Sequence, residues 1–283
     1  MLTYTSGRNL FGKLASNSSS ANLTIADTLI NEKIREVITW KPWDFRERTR
    51  TASTVASQQF YNLPNDFRKL KNVTVTIGST KYSPRECKSR EHWDRLNQST
   101  TTSNTPEWYY VFNKQLGFFP TPSSATTDAI TYIYEKGHKD LSVADYTTGT
   151  ITTTATASNV TTVTGSGVTW TSAMVGRYIK IDTGSGGDGL WYEIATVPTS
   201  TTLTLTLPYL GTAISSGSAT YIIGEVSMIP EDFQIVPLYG ALELYFTSIQ
   251  PEIERADRFK RLFMEGKASM QSELGNKTSS PIL

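Results

Sequence analysis

The chain is poor in the residues that most often carry chemistry. Among 283 residues it has one cysteine, Cys87, and two histidines, His92 and His138. A lone cysteine excludes an internal disulfide framework and any CxxC redox or metal motif. The histidines stand far apart, with no second His or Cys at metal-ligand spacing. No apolar run approaches the roughly 18–20 residues needed to span a bilayer. The first 23 residues lack the continuous apolar stretch of a secretory signal, which predicts folding in a cytosol without a membrane partner. Charge of either sign is also without excess: 27 Lys and Arg face 26 Asp and Glu, for a net +1. No global field therefore draws nucleic acid or an anionic substrate. Nucleophile elbow, P-loop, GxGxxG after a strand and HExxH are all missing, so no catalytic, metal or cofactor-binding residue is expected.

What is present is a change of composition. Residues 145–225 are almost all Thr, Ser, Gly, Val, Ile and Tyr. Segments such as GRYIKID, WYEIATV, TTLTLTLP and ATYIIGE read as short strands punctuated by Gly, Pro and Ser turns. Gly184–Gly189 (GSGGDG) has strand sequence on both sides, so it reads as a hairpin loop and not a phosphate cradle. Helical patterns resume at Pro230. The expected fold class is α+β: a helical bundle with a small antiparallel sheet, plus an inserted all-β module, a small barrel or sandwich. The expected domains are a discontinuous helical core, 1–144 with 226–283, and the insertion, 145–225.

Along the flanks, residues 1–22 are Ser- and Asn-rich and read as a mobile arm or a partner-ordered loop. Thr24 reads as an N-cap with Asp27 three residues on. Ile25, Leu29, Ile30, Ile34, Val37 and Ile38 then recur at helical spacing until Pro42 stops the helix. Trp40, Trp43 and Phe45 read as a core plug under the helix end. ERTRT and its neighbours, Arg46 to Arg50, fit either a solvated strand edge or contact with a phosphate or acidic partner. Strands are expected at Leu70–Ile77, across the hairpin of Trp108–Phe112 with Leu116–Phe119, and at Ala129–Glu135. A short helix over Ser89–Leu96 carries Trp93. After Pro237 an apolar helix runs to Ile249. A second runs from Glu252 to Leu274, with Ile253, Ala256, Phe259, Leu262, Phe263 and Met270 on one face and Arg255, Arg258, Lys260 and Arg261 opposite. LPNDF (Leu63–Phe67) and IPEDF (Ile229–Phe233) echo each other, which Pro-x-Asp turn chemistry accounts for.

The residues suggest two other chemistries. Glu107, Glu135 and Glu193 are carboxylates of the kind that pair in sugar hydrolysis, but nothing in the sequence brings two together. Trp170, Tyr178, Trp191 and Tyr192 fit sugar stacking or, more simply, the core of the β module.

The order of pieces resembles a known family. A helix ends in Trp-Lys-Pro-Trp, and a strand leads to Leu-Pro-Asn-Asp-Phe-Arg-Lys-Leu. A Trp-Tyr-Tyr hairpin returns through Leu-Gly-Phe-Phe-Pro-Thr-Pro to Tyr-Ile-Tyr-Glu-Lys. Ile-Pro-Glu-Asp-Phe then opens a helix with Tyr-Gly-Ala-Leu-Glu-Leu-Tyr, followed by the Arg-rich Glu252–Leu274. Over about 24–136 and 229–274 this resembles the head-to-tail adaptor (connector) proteins of tailed bacteriophages. The resemblance implies a non-enzymatic virion protein of the neck, made in the host cytoplasm. It would form a homo-oligomeric ring, usually of twelve subunits, beneath the portal protein. The ring would extend the channel for passing double-stranded DNA and present a platform to tail or nozzle proteins. It further implies portal docking by the C-terminal extension, here Asn276, Lys277, Thr278, Ser279, Ser280, Pro281, Ile282 and Leu283. Ring-interface candidates are Arg255, Arg258 and Arg261 on the last helix. The alternative on the residues is a carbohydrate-binding or host-adhesion tail protein using Trp170, Trp191 and Tyr192.

Overall fold

The computed structural model describes residues 1–153 and 162–275. The chain begins with a helix where an arm was expected. Helix α1 spans Tyr4–Leu14, and Thr3 and Ser6 close a reciprocal capping box at its start. Phe11 has no exposed surface. Helix α2 spans Ser20–Trp40 and starts four residues before the expected cap, with Ser19 accepting from the Asn22 amide. The Thr24 hydroxyl instead donates back to the Ser20 carbonyl at 3.0 Å. Asp27 faces Arg8 of α1 at 3.1 Å. Lys41 ends α2 in an extended conformation, as expected of the residue before a proline.

Two compact units follow from the contacts: Met1–Lys41 with Asp140–Leu283, and Pro42–Lys139. The second unit carries two sheets where one was expected. In the first, strands run in the order β1 (Glu47–Thr54), β8 (Thr126–Lys136), β3 (Phe67–Ile77) and β4 (Thr80–Tyr82). In the other the order is β2 (Phe60–Asn62), β7 (Gln115–Phe119), β6 (Trp108–Phe112) and β5 (Arg85–Glu86). Alternating side chains from both meet in one core: Val73, Val75 and Ile130 from the first, Tyr61, Leu116 and Phe118 from the second. Asn113 and Lys114 both take positive φ, the turn geometry that matches strand twist in a tight β6–β7 hairpin. The short helix α3 (Arg90–Leu96) presses Trp93 between Phe60 and Tyr110, with ring centroids 5.9 and 5.4 Å away. Gly117 makes this approach possible, since a Cβ there would lie 2.7 Å from the Phe60 ring. Arg46 does not edge the sheet: it is 1% exposed and donates to the Lys136 carbonyl. Trp43 is buried and stacks on Phe45 at 5.7 Å, whereas Trp40 is 39% exposed under the Lys267 ammonium. The three aromatics are not a single plug.

Among the described residues, the strands of this Thr-rich block form one antiparallel sheet of seven. Its order is β14 (Ile214–Ala219), β9 (Thr150–Thr153), β10 (Thr162–Ser166), β13 (Thr202–Leu205), β12 (Trp191–Thr199), β11 (Tyr178–Ile181) and β15 (Tyr221–Gly224). Its two edge strands are joined by the single residue Thr220, so the sheet must curl to bring its edges near each other. Val163, Ile179, Ile194, Leu203 and Ile223 fill the interior with Trp170 and Tyr221. Threonine covers the outside, where Thr162 faces Thr204 and Thr164 faces Thr202 across strands. β-branched hydroxyl residues suit a pleated surface that is half wet. The module's stem is held to the helices. The Tyr4 amide donates to the Glu225 carbonyl, and Thr3 donates to Asp145 at 2.8 Å. Gly224 admits Thr3, since a Cβ there would lie 2.3 Å from Thr3 Cγ2.

Burial pushes two phenols of this module up to about 12 from an ordinary value of 10.0, Tyr192 and Tyr221. The Asp188 carboxylate beside Tyr192 adds to the effect there. Both groups favour the neutral form when folded, so their contribution is complete below pH 10 and lost as pH rises toward 12. The module's melting temperature should therefore hold steady up to pH 10 and fall above it, in step with tyrosinate absorbance. A flat melting temperature across that window would contradict these environments.

Two helices complete the first unit. α4 spans Val236–Leu244 with Pro237 in its first turn, and continues as a π-helical turn to Ile249. α5 spans Ile253–Leu274. α4 packs against α1, α2 and α5. Phe11 meets Tyr245 edge-on, and Phe246 lies flat on Phe259 at 5.8 Å. Glu36 of α2 accepts from Lys33 at 2.8 Å and from Lys267 of α5 at 3.0 Å. Burial alone would raise its carboxyl pKa, but these two ammonium groups hold it below the usual carboxylate value. LPNDF and IPEDF close the same turn: the Phe67 amide donates to Pro64 and the Phe233 amide to Pro230, each at 2.9 Å.

Candidate assembly surfaces

The helical unit leaves one flank of α5 unfilled. Between α1, α4 and α5 runs a groove of about 480 Å³. Its floor is apolar: Leu10 and Leu14 from α1, Ile235 and Tyr239 from the start of α4, Phe259 and Leu262 from α5. All but Phe259 keep part of their surface exposed. Lys13, Arg255 and Arg258 line it as well. Arg255 is engaged within the chain, 3.3 Å from Glu252 and 5.1 Å above the Phe246 ring. Lys13 and Arg258 are exposed, and among the described residues neither forms an ion pair. Arg261 is exposed but lies outside the groove. The structure therefore brings two of the three expected interface arginines together and uses one of those internally.

Ile253 was expected on the buried face of α5, yet it is 79% exposed, and Met264 is 57% exposed. The two are eleven residues apart, close to three full turns, so they share one stripe about 16 Å long. Asp257 lies between them and is exposed. The buried residues of α5 are Phe259, Phe263 and Met270.

The signal for α1 was present in the sequence, in Thr3-x-x-Ser6 and in Leu10, Phe11 and Leu14 at helical spacing. The Ser-rich stretch that follows obscured it. Without α1 the groove cannot be drawn, because Leu10, Lys13 and Leu14 are a third of it.

The other expected surfaces resolve differently. Trp170 and Tyr192 are 2% and 5% exposed and belong to the core of the β module, so they offer no sugar platform. Trp191 and Tyr178 are half-buried on neighbouring strands. Glu135 is buried in the first sheet of the second unit, 3.7 Å from Lys71. Glu107 pairs with Phe119 at the β6 end of the other sheet, and Glu193 belongs to the first unit. Among the described residues no three His, Cys, Asp or Glu side chains group as metal ligands. Cys87 is buried and His92 packs edge-on against Trp108 at 4.9 Å. No helix of the described residues is long and apolar enough to cross a membrane. The expected docking segment Asn276–Leu283 lies outside the described residues.

A family model described as SU10 adaptor protein matches residues 8–157, more than half of the chain. The chain belongs to the SU10 adaptor protein family. The matched stretch takes in most of α1, all of α2, the whole second unit and the first strand of the β module. It begins inside the helix that sequence patterning missed. The family gives the protein a structural phage adaptor role at the virion neck. No curated protein matches the chain.

Proposed function

We propose that this adaptor assembles as a ring beneath the portal of a tailed phage, extends the DNA channel and offers the tail or nozzle proteins their platform. Membership of the SU10 adaptor family carries the reading. The resemblance implies twelve copies, and passing double-stranded DNA would meet the ring as a passive wall. The protein works through assembly and not catalysis, as a structural adaptor family suggests. It would be made in the host cytoplasm and carried in the virion neck. The tail Asn276–Leu283 docks on the portal through its apolar tip, Pro281-Ile282-Leu283.

The experiment is light scattering of the purified protein with its cognate portal, alongside proteomics of purified virions. A stoichiometric complex and presence in virions are expected. Absence from virions together with no complex would overturn the reading. Removing Asn276–Leu283 is expected to leave the melting curve unchanged and to weaken portal binding. Saturation at the same protein concentration would refute the docking role of the tail.

A further inference from the structure

We propose that the groove between α1, α4 and α5 is filled by a second copy of this chain, through the opposite flank of its α5. The occupant is the stripe that starts at Ile253. The inference rests on the ring reading and deepens it by naming the contact from which the ring would be built.

Two surfaces on one helix support it. The groove has an apolar floor and two cations, Lys13 and Arg258, that form no ion pair among the described residues. Its best complement is an apolar knob beside a carboxylate. The first turns of α5 carry that combination. Ile253 is the most exposed of the large hydrophobic residues described, and Asp257, one turn on along the same stripe, is exposed and outside any ion pair among the described residues. Lys260, on the same flank, falls about one turn further along. Seating Ile253 on Leu14 and Leu262 would remove apolar surface on both sides from water. Asp257 would then face Lys13 and Arg258 across the joint, an arrangement that favours the right partner and disfavours a reversed one.

The placement of the two surfaces fixes the kind of assembly. At about 100° per residue, Leu262 points roughly 180° away from Ile253 around α5. One copy cannot fill its own groove with its own stripe. A contact between unlike patches on opposite flanks is heterologous: each copy keeps one free groove and one free stripe, so growth continues until rotation closes a ring. A two-fold dimer would instead bring the same patch from both copies together.

The test is complementation between two blocked variants, followed by analytical ultracentrifugation. Ile253→Lys with Asp257→Lys destroys the stripe and leaves the groove intact. Lys13→Glu with Arg258→Glu destroys the groove and leaves the stripe. All four positions are exposed, and thermal melts matching the wild type confirm folding of each variant. Wild-type protein is expected to form oligomers, and each variant alone to associate about a hundred-fold more weakly. An equimolar mixture should give a one-to-one dimer and nothing larger, because only one intact groove and one intact stripe meet. The proposal is overturned by a wild type that stays monomeric at about 1 mM, by variants that assemble like wild type, or by a mixture that stays monomeric. Portal binding is scored separately. Failure of wild-type protein to bind portal counts against the adaptor reading and leaves the self-contact standing. Portal binding without complementation does the reverse.

Discussion

Replacing Ile34 with aspartate is expected to abolish the cooperative thermal transition of the helical unit. Ile34 is 3% exposed on α2 and borders a small enclosed space shared with Leu2, Ile30 and Leu238. That space, about 20 Å³, holds one water at most. Losing the isoleucine side chain from a packed site costs about 2–5 kcal/mol. A carboxylate in its place adds a further several kcal/mol, since among the described residues no cation lines the space. Asp27 lines the same space two helical turns away, so the charge that lines it is of the same sign. Together these terms rival the ~5–15 kcal/mol that holds a domain folded. Circular dichroism should show lost helix, or the protein should fail to stay soluble. Ile34→Val, which removes one methyl, should cost only about 1 kcal/mol. An aspartate variant that melts like wild type would mean that the site admits water and that the α2 packing described above is wrong.

Replacing Trp170 with alanine is expected to unfold the β module while leaving the helices intact. Trp170 is 2% exposed, and its indole N–H donates to the Tyr221 hydroxyl at 3.1 Å. Tyr221 passes the chain on to the Thr148 carbonyl at 2.7 Å. Truncation removes the largest side chain of that core and leaves a cavity, at about 3–5 kcal/mol. Gly165 packs directly under the ring, where a Cβ would lie 2.9 Å from it, so the strand cannot easily collapse into the space. Denaturant unfolding followed by limited proteolysis should place the loss in residues 145–225. Trp191→Ala, at a half-buried position, should lose about 1 kcal/mol or less. The pair also decides the sugar-stacking alternative. A stacking residue would lose glycan binding with the fold kept, whereas a core residue loses the fold first. Trp170→Ala with full stability would return that residue to the list of binding candidates.

Much of the secondary structure was legible because its signals are local. Alternation in Leu70–Ile77 and Ala129–Glu135 and helical spacing in Glu252–Leu274 are read from neighbours a few residues apart, and the structure shows strands and a helix there. The insertion was legible through composition, since Thr and Ser on short alternating runs suit few things besides a half-wet sheet. The β6–β7 hairpin was visible as two runs separated by the three residues Asn113-Lys114-Gln115, of which the structure takes Gln115 into β7.

Other features depend on residues far apart in the chain. Helix α1 is marginal by its own propensity and is ordered by what it packs on: Phe11 is buried in a cluster with Leu238, Leu242 and Tyr245, more than two hundred residues later. Arg46 looked like part of a basic, solvated run, but burial and the Lys136 carbonyl remove it from the surface. Ile253 passed every test of a core position on helical spacing alone. It lies outside because periodicity gives the angle of a side chain and not the width of the face its neighbours cover.

Sequence alone determined the helix and strand patterns, the strands of the Thr-rich block and the resemblance to an adaptor. These follow from short-range sterics, apolar periodicity and motif order. Tertiary structure alone decided that the N-terminal residues form a packed helix, that the flanking strands make two sheets, and that α5 carries a cationic groove on one flank and an exposed apolar stripe on the other. The physical reason is that surfaces belong to several elements at once: a groove walled by α1, α4 and α5 exists in no single segment of the chain.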